Sequence, residues 1–191
     1  MNKQGKIVVL VSPSGGGKST MAKRLLKDFE KLKFSVSATT RAPREGEIDG
    51  VHYRFISREE FKDKAARNQF LEWEEFYNGT LYGTLRESVE NDLKKGYFVL
   101  LDIDVLGALN IQKMVGDQAL TIFLSPPSLD VLEERLRLRG SESEEALKTR
   151  IERAGKEMSF VDQFDAIVIN DQIEEAYKRI KDLVNNFMIK G

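Results

Sequence analysis

The feature that most constrains this chain is the stretch Ser12-Pro13-Ser14-Gly15-Gly16-Gly17-Lys18-Ser19-Thr20, because of what flanks it. Before it, Ile7-Val8-Val9-Leu10-Val11 is a continuous aliphatic and β-branched run of strand length, suited to a strand covered on both faces. After it, Met21, Leu25, Leu26 and Phe29 recur at helical spacing among Lys and Arg residues, which predicts an amphipathic helix. Strand, glycine turn, lysine and helix in this order form a P-loop. Glycines let successive backbone N–H groups point inward, and the helix N-terminus adds partial positive charge, so a polyphosphate is wrapped. Ser14, Gly15, Gly16, Gly17, Lys18, Ser19 and Thr20 are therefore candidate ATP-binding residues, with Lys18 reaching the β- and γ-phosphates and Ser19 holding Mg²⁺. Ser12 stands where the strict G-x-x-x-x-G-K-[ST] pattern has its first glycine.

The rest of the chain fits an α/β architecture built on a mostly parallel sheet. Short apolar runs return at 97–101, 119–124 and 166–169, each bounded by Asp, Pro or Asn, and the last precedes a helical stripe of Ile173, Tyr177, Ile180, Val184 and Phe187. Two segments read as neither core strands nor crossover helices. Residues 35–84 mix Thr, Arg, Gly, Tyr and Trp and are too long for a loop, so they form an inserted lobe. Residues 126–156 are charged and helical, are broken by Gly140 and form a lid. The expected division is a core of 1–34, 85–125 and 157–191, a lobe of 35–84 and a lid of 126–156, all within one domain.

Composition removes several function classes. With 191 residues, 41% of them hydrophobic, the chain can bury one sizeable core. Thirty basic residues against thirty-one acidic ones leave a net charge of −1, which offers no overall attraction to nucleic acid or membrane. No stretch approaches the roughly 20 apolar residues that span a bilayer, and no export signal is visible. Zero cysteines exclude disulfides and thiolate metal sites and suit a reducing, cytoplasmic setting. His52, the sole histidine, reads as a surface residue of the lobe.

In the lobe, Arg41 and Arg44 flank a proline-fixed turn, and arginine forks match phosphate oxygens bidentately. In the lid, Arg135 and Arg139 are four residues apart and are expected to project from one helix face into a cleft.

These segments, with Tyr53, Phe70-Leu71-Glu72-Trp73, Tyr82-Gly83-Thr84, Leu101-Asp102-Ile103-Asp104, Pro126-Pro127-Ser128 and Val168-Ile169-Asn170-Asp171, closely resemble the guanylate kinases over nearly the whole chain. The resemblance implies a Mg²⁺-dependent transfer of the γ-phosphate of ATP to GMP or dGMP, with closure of lobe and lid around both nucleotides. It implies that Arg41, Arg44, Tyr53 and Tyr82 grip the GMP phosphate, while Ser37, Glu72, Thr84 and Asp104 read guanine. Carboxylates suit the N1–H and N2–H₂ donors of that base, and hydroxyls suit O6 and its neighbours. Arg135, Arg139 and Arg150 would serve the ATP phosphates and the transferring group, with Arg150 also near the acceptor phosphate. Asp102 would stand near Mg²⁺ and Asn170 near adenine. Lys18, Arg41, Asp102, Arg135 and Arg150 form the implied catalytic set.

The chain departs from the family at Leu106, where the family usually has Gln, which removes whatever hydrogen bond that amide makes. Two other classes compete: a peptide-binding module related to the family, and a P-loop kinase of ribose phosphates. Retention of Lys18, Ser19, Arg41 and Asp102 argues against the first, and Ser37, Glu72 and Thr84 argue against the second.

Overall fold

The structure is a computed structural model and describes residues 4–76, 79–138 and 144–190. The apolar run at its start becomes β1 (Ile7–Val11), in which every residue is buried. It lies at the centre of a five-stranded parallel sheet with β2 (Leu32–Phe34), β7 (Phe98–Asp102), β8 (Ala119–Ser125) and β9 (Ala166–Ile169), in the order β2-β7-β1-β8-β9. Alternate side chains feed two cores. Ile7, Val9 and Val11 pack with Val89 of α3 (Arg86–Lys94) and with Val105, Ala108 and Ile111 of α4 (Val105–Val115). Val8 and Leu10 pack with Met21 and Leu25 of α1 (Lys18–Asp28) and with Tyr177, Ile180 and Val184 of α7 (Ile173–Lys190). Each such fully buried aliphatic side chain contributes about 1.5–3 kcal/mol. Leu10→Ala, in the middle of β1, would cost about 2–5 kcal/mol.

A second sheet of four strands, in the order β4-β3-β6-β5, is formed by β3 (Ala38–Thr39), β4 (Arg54–Phe55), β5 (Phe70–Glu75) and β6 (Leu81–Leu85). Its own small core holds Ala38, Phe61, Phe70 and Leu81. Phe61 comes from α2 (Arg58–Ala66) and stacks on Phe70 at 4.3 Å between ring centroids. Ser57 caps that helix, its Oγ accepting from the backbone N–H of Glu60 at 3.0 Å. Two further helices, α5 (Leu129–Leu138) and α6 (Glu144–Met158), pack through Leu132, Leu136, Leu147 and Ala154.

The aliphatic runs emerge as strands close to their expected limits. The reading missed β2, whose three residues are too few to carry a period, and α4, whose near-uniform apolarity hides a 3.6-residue pattern. Asp104 starts α4 by accepting from the N–H of Gly107 at 3.0 Å. No helix among the described residues is long and apolar enough to cross a membrane.

Candidate active site

The glycine loop occupies the carboxyl end of β1, where open parallel sheets place their ligands. Gly15 and Gly17 have φ of +94° and +95°, a backbone that side chains resist. Space is as restrictive as conformation: a Cβ on Gly17 would lie 2.5 Å from Nδ2 of Asn170, and one on Gly16 would lie 2.1 Å from Oγ of Ser12. The second contact means that Ser12, which stands in place of glycine, leaves no room for a side chain at position 16. The Ser12 side chain is buried, with Oγ donating to the carbonyl of Pro13 at 2.8 Å. Lys18 opens α1 and bends back to the end of β7, with Nζ 2.6 Å from Oδ1 of Asp102 and 3.1 Å from the carbonyl of Ile103.

One cleft of about 600 Å³ has this loop as one wall and the second sheet as the other. Arg41, Arg44, Tyr53 and Tyr82 line the far wall, together with Glu47. Arg41 makes a two-bond pair with Glu47, both contacts at 2.8 Å, and its Nε donates to the hydroxyl of Tyr82 at 3.2 Å. Glu47 holds the Arg41 guanidinium well above its ordinary value, and Arg41 in turn pulls the Glu47 carboxyl down to about 2. Burial raises the phenol of Tyr53.

Deeper in the cleft, Glu72 is 8% exposed, and burial pushes its carboxyl up to about 7 against the opposing hydrogen bond from Thr84. Oγ1 of Thr84 donates to Oε1 of Glu72 at 2.5 Å. Glu72 and Asp104 approach each other over Gly107, where a Cβ would meet Oε2 of Glu72 at 2.8 Å and Oδ2 of Asp104 at 3.3 Å. Burial, then a hydrogen bond shared with Asp104, raises Glu74 on the same strand. From α6, Arg150 reaches Oγ of Ser14 at 3.5 Å, and Arg153 pairs with Glu157 at 2.6 Å.

The cleft thus gathers Ser14, Gly15, Gly16, Gly17, Lys18, Ser19, Thr20, Ser37, Arg41, Arg44, Tyr53, Glu72, Tyr82, Asp102, Asp104 and Arg150. Three expected residues stand elsewhere. Arg135 does not line it: Nη2 donates to the carbonyl of Asn170 at 2.9 Å. Asn170 sits behind the loop and donates from Nδ2 to the carbonyl of Gly16 at 2.8 Å, so it braces the glycines. Thr84 is fully buried, and its hydroxyl proton is committed to Glu72 rather than offered to a ligand. Arg139 lies outside the described residues. Leu106 is 52% exposed and does not line the cleft.

His52 is exposed, with Nδ1 accepting from the N–H of Ile48. Glu47, Arg153 and Glu157 line the cleft and escaped the sequence reading. A signal existed for the last two, since 150, 153 and 157 follow helical spacing and share a face of α6. None existed for Glu47, whose role comes from a turn at Gly46 with φ of +81°.

A central parallel strand running into a triple-glycine loop and a lysine-led helix defines the P-loop class of nucleotide-binding α/β proteins. Within that class the profile of the guanylate kinase family matches residues 4–187, and the chain belongs to that family. A guanylate kinase of Chlorobium luteolum is 47% identical over 188 residues, covering 98% of this chain and 95% of the relative. One from Chlorobaculum tepidum is 48% identical over 185 residues, covering 97% and 94%. The crystal structure of guanylate kinase from Anaplasma phagocytophilum superposes with a TM-score of 0.77 at 35% identity, covering 96% of this chain and 86% of that one.

Proposed function

We propose that this chain transfers the γ-phosphate of ATP to GMP, and to dGMP, releasing ADP and GDP, in a cytoplasmic setting. The observation that carries the reading is the single cleft with the glycine loop on one wall and Arg41, Arg44, Tyr53 and Tyr82 on the other. In this reading two nucleotides lie head to head there, with their phosphates between the walls. A phosphate oxygen of GMP attacks the γ-phosphorus, the bond to the β–γ bridging oxygen breaks, and its electron pair leaves on ADP.

The protein's part is positioning and charge. Lys18 leaves Asp102 for the β- and γ-phosphates, the backbone N–H groups of the loop hold the chain of phosphates, and Arg150 meets charge on the group in flight. Arg41 and Arg44, with the hydroxyls of Tyr53 and Tyr82, hold the acceptor phosphate in line. Glu72 and Asp104 accept from guanine N1–H and N2–H₂, and Thr84 keeps Glu72 aimed. A site of buried polar groups like this rejects the wrong base by on the order of 10⁴-fold, because its acceptors would be left unpaired.

The residues present also fit Mg²⁺. Among the described residues no cluster of three or more acidic, His or Cys side chains could cage a metal alone, whereas Ser19 and Asp102 offer hard oxygens beside the phosphate loop. Held there together with ATP, the ion would neutralise phosphate charge.

The lobe 35–84 carries the acceptor and the helices of 126–156 close over the donor, which excludes water that would otherwise hydrolyse ATP. An ADP-release assay with GMP, dGMP, AMP, UMP and ribose phosphates tests the proposal. Turnover confined to the two guanine nucleotides is the expected result, and equal turnover of AMP overturns it.

A further inference from the structure

The acceptor wall contains one acid that the proposed reaction leaves without a task. Glu47 is 17% exposed in its side chain and lies directly against Arg41, at 16%. A guanidinium has five N–H groups in one plane. Here Nη1 gives one to Oε2 of Glu47 and one to the carbonyl of Ala42, each at 2.8 Å. Nη2 gives one to Oε1 of Glu47 at 2.8 Å, and Nε gives its own to the hydroxyl of Tyr82 at 3.2 Å. The N–H that remains, on Nη2, runs parallel to Nε–H because the group is planar. The only edge left for a ligand is therefore the Nε/Nη2 edge, and it faces Tyr82.

Glu47 has a second hold on the same wall, since Oε2 also accepts from the backbone N–H of Arg44 at 2.7 Å. One carboxylate thus fixes the rotation of Arg41 and the backbone of Arg44. The rings nearby complete the frame: Tyr53 lies 5.2 Å from the Arg41 guanidinium carbon, and Tyr53 and Tyr82 meet edge to face at 5.8 Å.

Resting on the acceptor reading above, we infer that Glu47 is a positioning residue for the acceptor phosphate, occupying the outer fork of Arg41 so that the Nε/Nη2 edge is presented beside the Tyr82 hydroxyl. It touches no reacting atom. The carboxyl of Glu47 is held down to about 2 by Arg41 and then by the Arg44 N–H, so it stays ionised throughout the neutral range. An arginine swinging freely would have to be oriented at each encounter with substrate, and that ordering would be lost from acceptor binding.

The test is steady-state kinetics on Glu47→Gln, whose amide can accept one of the bonds but presents N–H groups to the other donor. The KM for GMP rises on the order of ten-fold, while the KM for ATP moves by less than about two-fold. Guanosine, which lacks the phosphate, inhibits both proteins with the same Ki. In an Arg41→Ala background, Glu47→Gln raises the KM for GMP by less than about two-fold more, because its main route of action is gone. Glu47→Asp keeps the charge and the fork but is one methylene shorter, so it reaches Arg41 and the Arg44 N–H less well and raises the same KM by a smaller factor. This second variant carries the test should the first fail to give a cooperative melt.

An unchanged KM for GMP in both variants, or a parallel rise for ATP and weaker inhibition by guanosine, overturns the inference in favour of a merely structural role. A lowered KM for GMP overturns it too, making Glu47 a competitor for the guanidinium. A wild-type protein without GMP turnover would fault the proposed function instead.

Discussion

Lys18 of the glycine loop and Asp102 at the end of β7 form an ion pair of 2.6 Å in which each side chain is about one-fifth exposed, at 21% and 22%. The loop's cation is therefore already matched by a carboxylate, and under the proposed function nucleotide binding exchanges one partner for another. Lys18→Ala is expected to lower kcat/KM on the order of 10²- to 10³-fold, as loss of a preorganised charge donor does. Asp102→Asn takes the charge from the partner of Lys18 and removes one oxygen from the proposed Mg²⁺ site. Its rate should need more Mg²⁺ to reach half-maximum, which titration at saturating ATP and GMP measures.

Glu72 supplies a pH dependence. Its carboxyl is raised from 4.5 to about 7, so between those values the folded chain keeps a proton that the unfolded chain has released. Binding more protons when folded means that this group's contribution to stability falls as pH rises through that window and is flat above it. Glu74, also raised, acts in the same direction. Acceptance from guanine N–H needs the ionised form, so kcat/KM for GMP should climb between about pH 6 and 8. Glu72→Gln should be slower throughout and show a flatter profile, with ATP affinity little changed. A variant with an unaltered slope would remove Glu72 from base reading.

Ser12 makes a reciprocal prediction. A methyl on Gly16 would collide with Oγ of Ser12 at 2.1 Å, and the carbonyl of Pro13 at 3.1 Å would also have to give. Gly16→Ala should therefore weaken ATP binding and lower the melting temperature. Adding Ser12→Gly should restore part of both losses, because it removes the closer obstacle. Strict additivity of the two substitutions would mean that they do not meet.

Asn170→Ala would strip the Gly16 carbonyl of its side-chain donor. A buried acceptor left unpaired costs about 1–3 kcal/mol. Urea unfolding should register that loss, and the KM for ATP should rise while that for GMP stays near the parental value. Equal changes in both constants would show that the brace acts on the whole cleft.

Much of this architecture was readable in the residues themselves. Ile7–Val11 and the glycines after it announce a buried strand and a phosphate loop because both demands, full burial and left-handed backbone, restrict residue choice severely. On the opposite wall only Arg41 and Arg44 were legible from residue chemistry, and the rest was visible through resemblance, because the strands carrying Thr39, Tyr82 and Glu72 are mixed in direction and show no clean alternation. Hidden altogether were contacts that depend on side-chain direction. Arg135 turns to the carbonyl of Asn170, and Thr84 faces Glu72 from behind; neither follows from position in the chain. Glu47 lies six residues beyond Arg41, a spacing with no helical or strand meaning, and only the turn between them brings the two together.

The brace from Asn170 to Gly16 joins residues 154 positions apart, and the carbonyl of the same asparagine is gripped by Arg135. The glycines are emitted early from the ribosome, yet their backing arrives only when the last strand has been made and docked. Contacts of such long sequence separation form late and slow the search for the native state. A nascent chain halted before that asparagine would carry every loop residue and still present an unbraced cradle to the nucleotide.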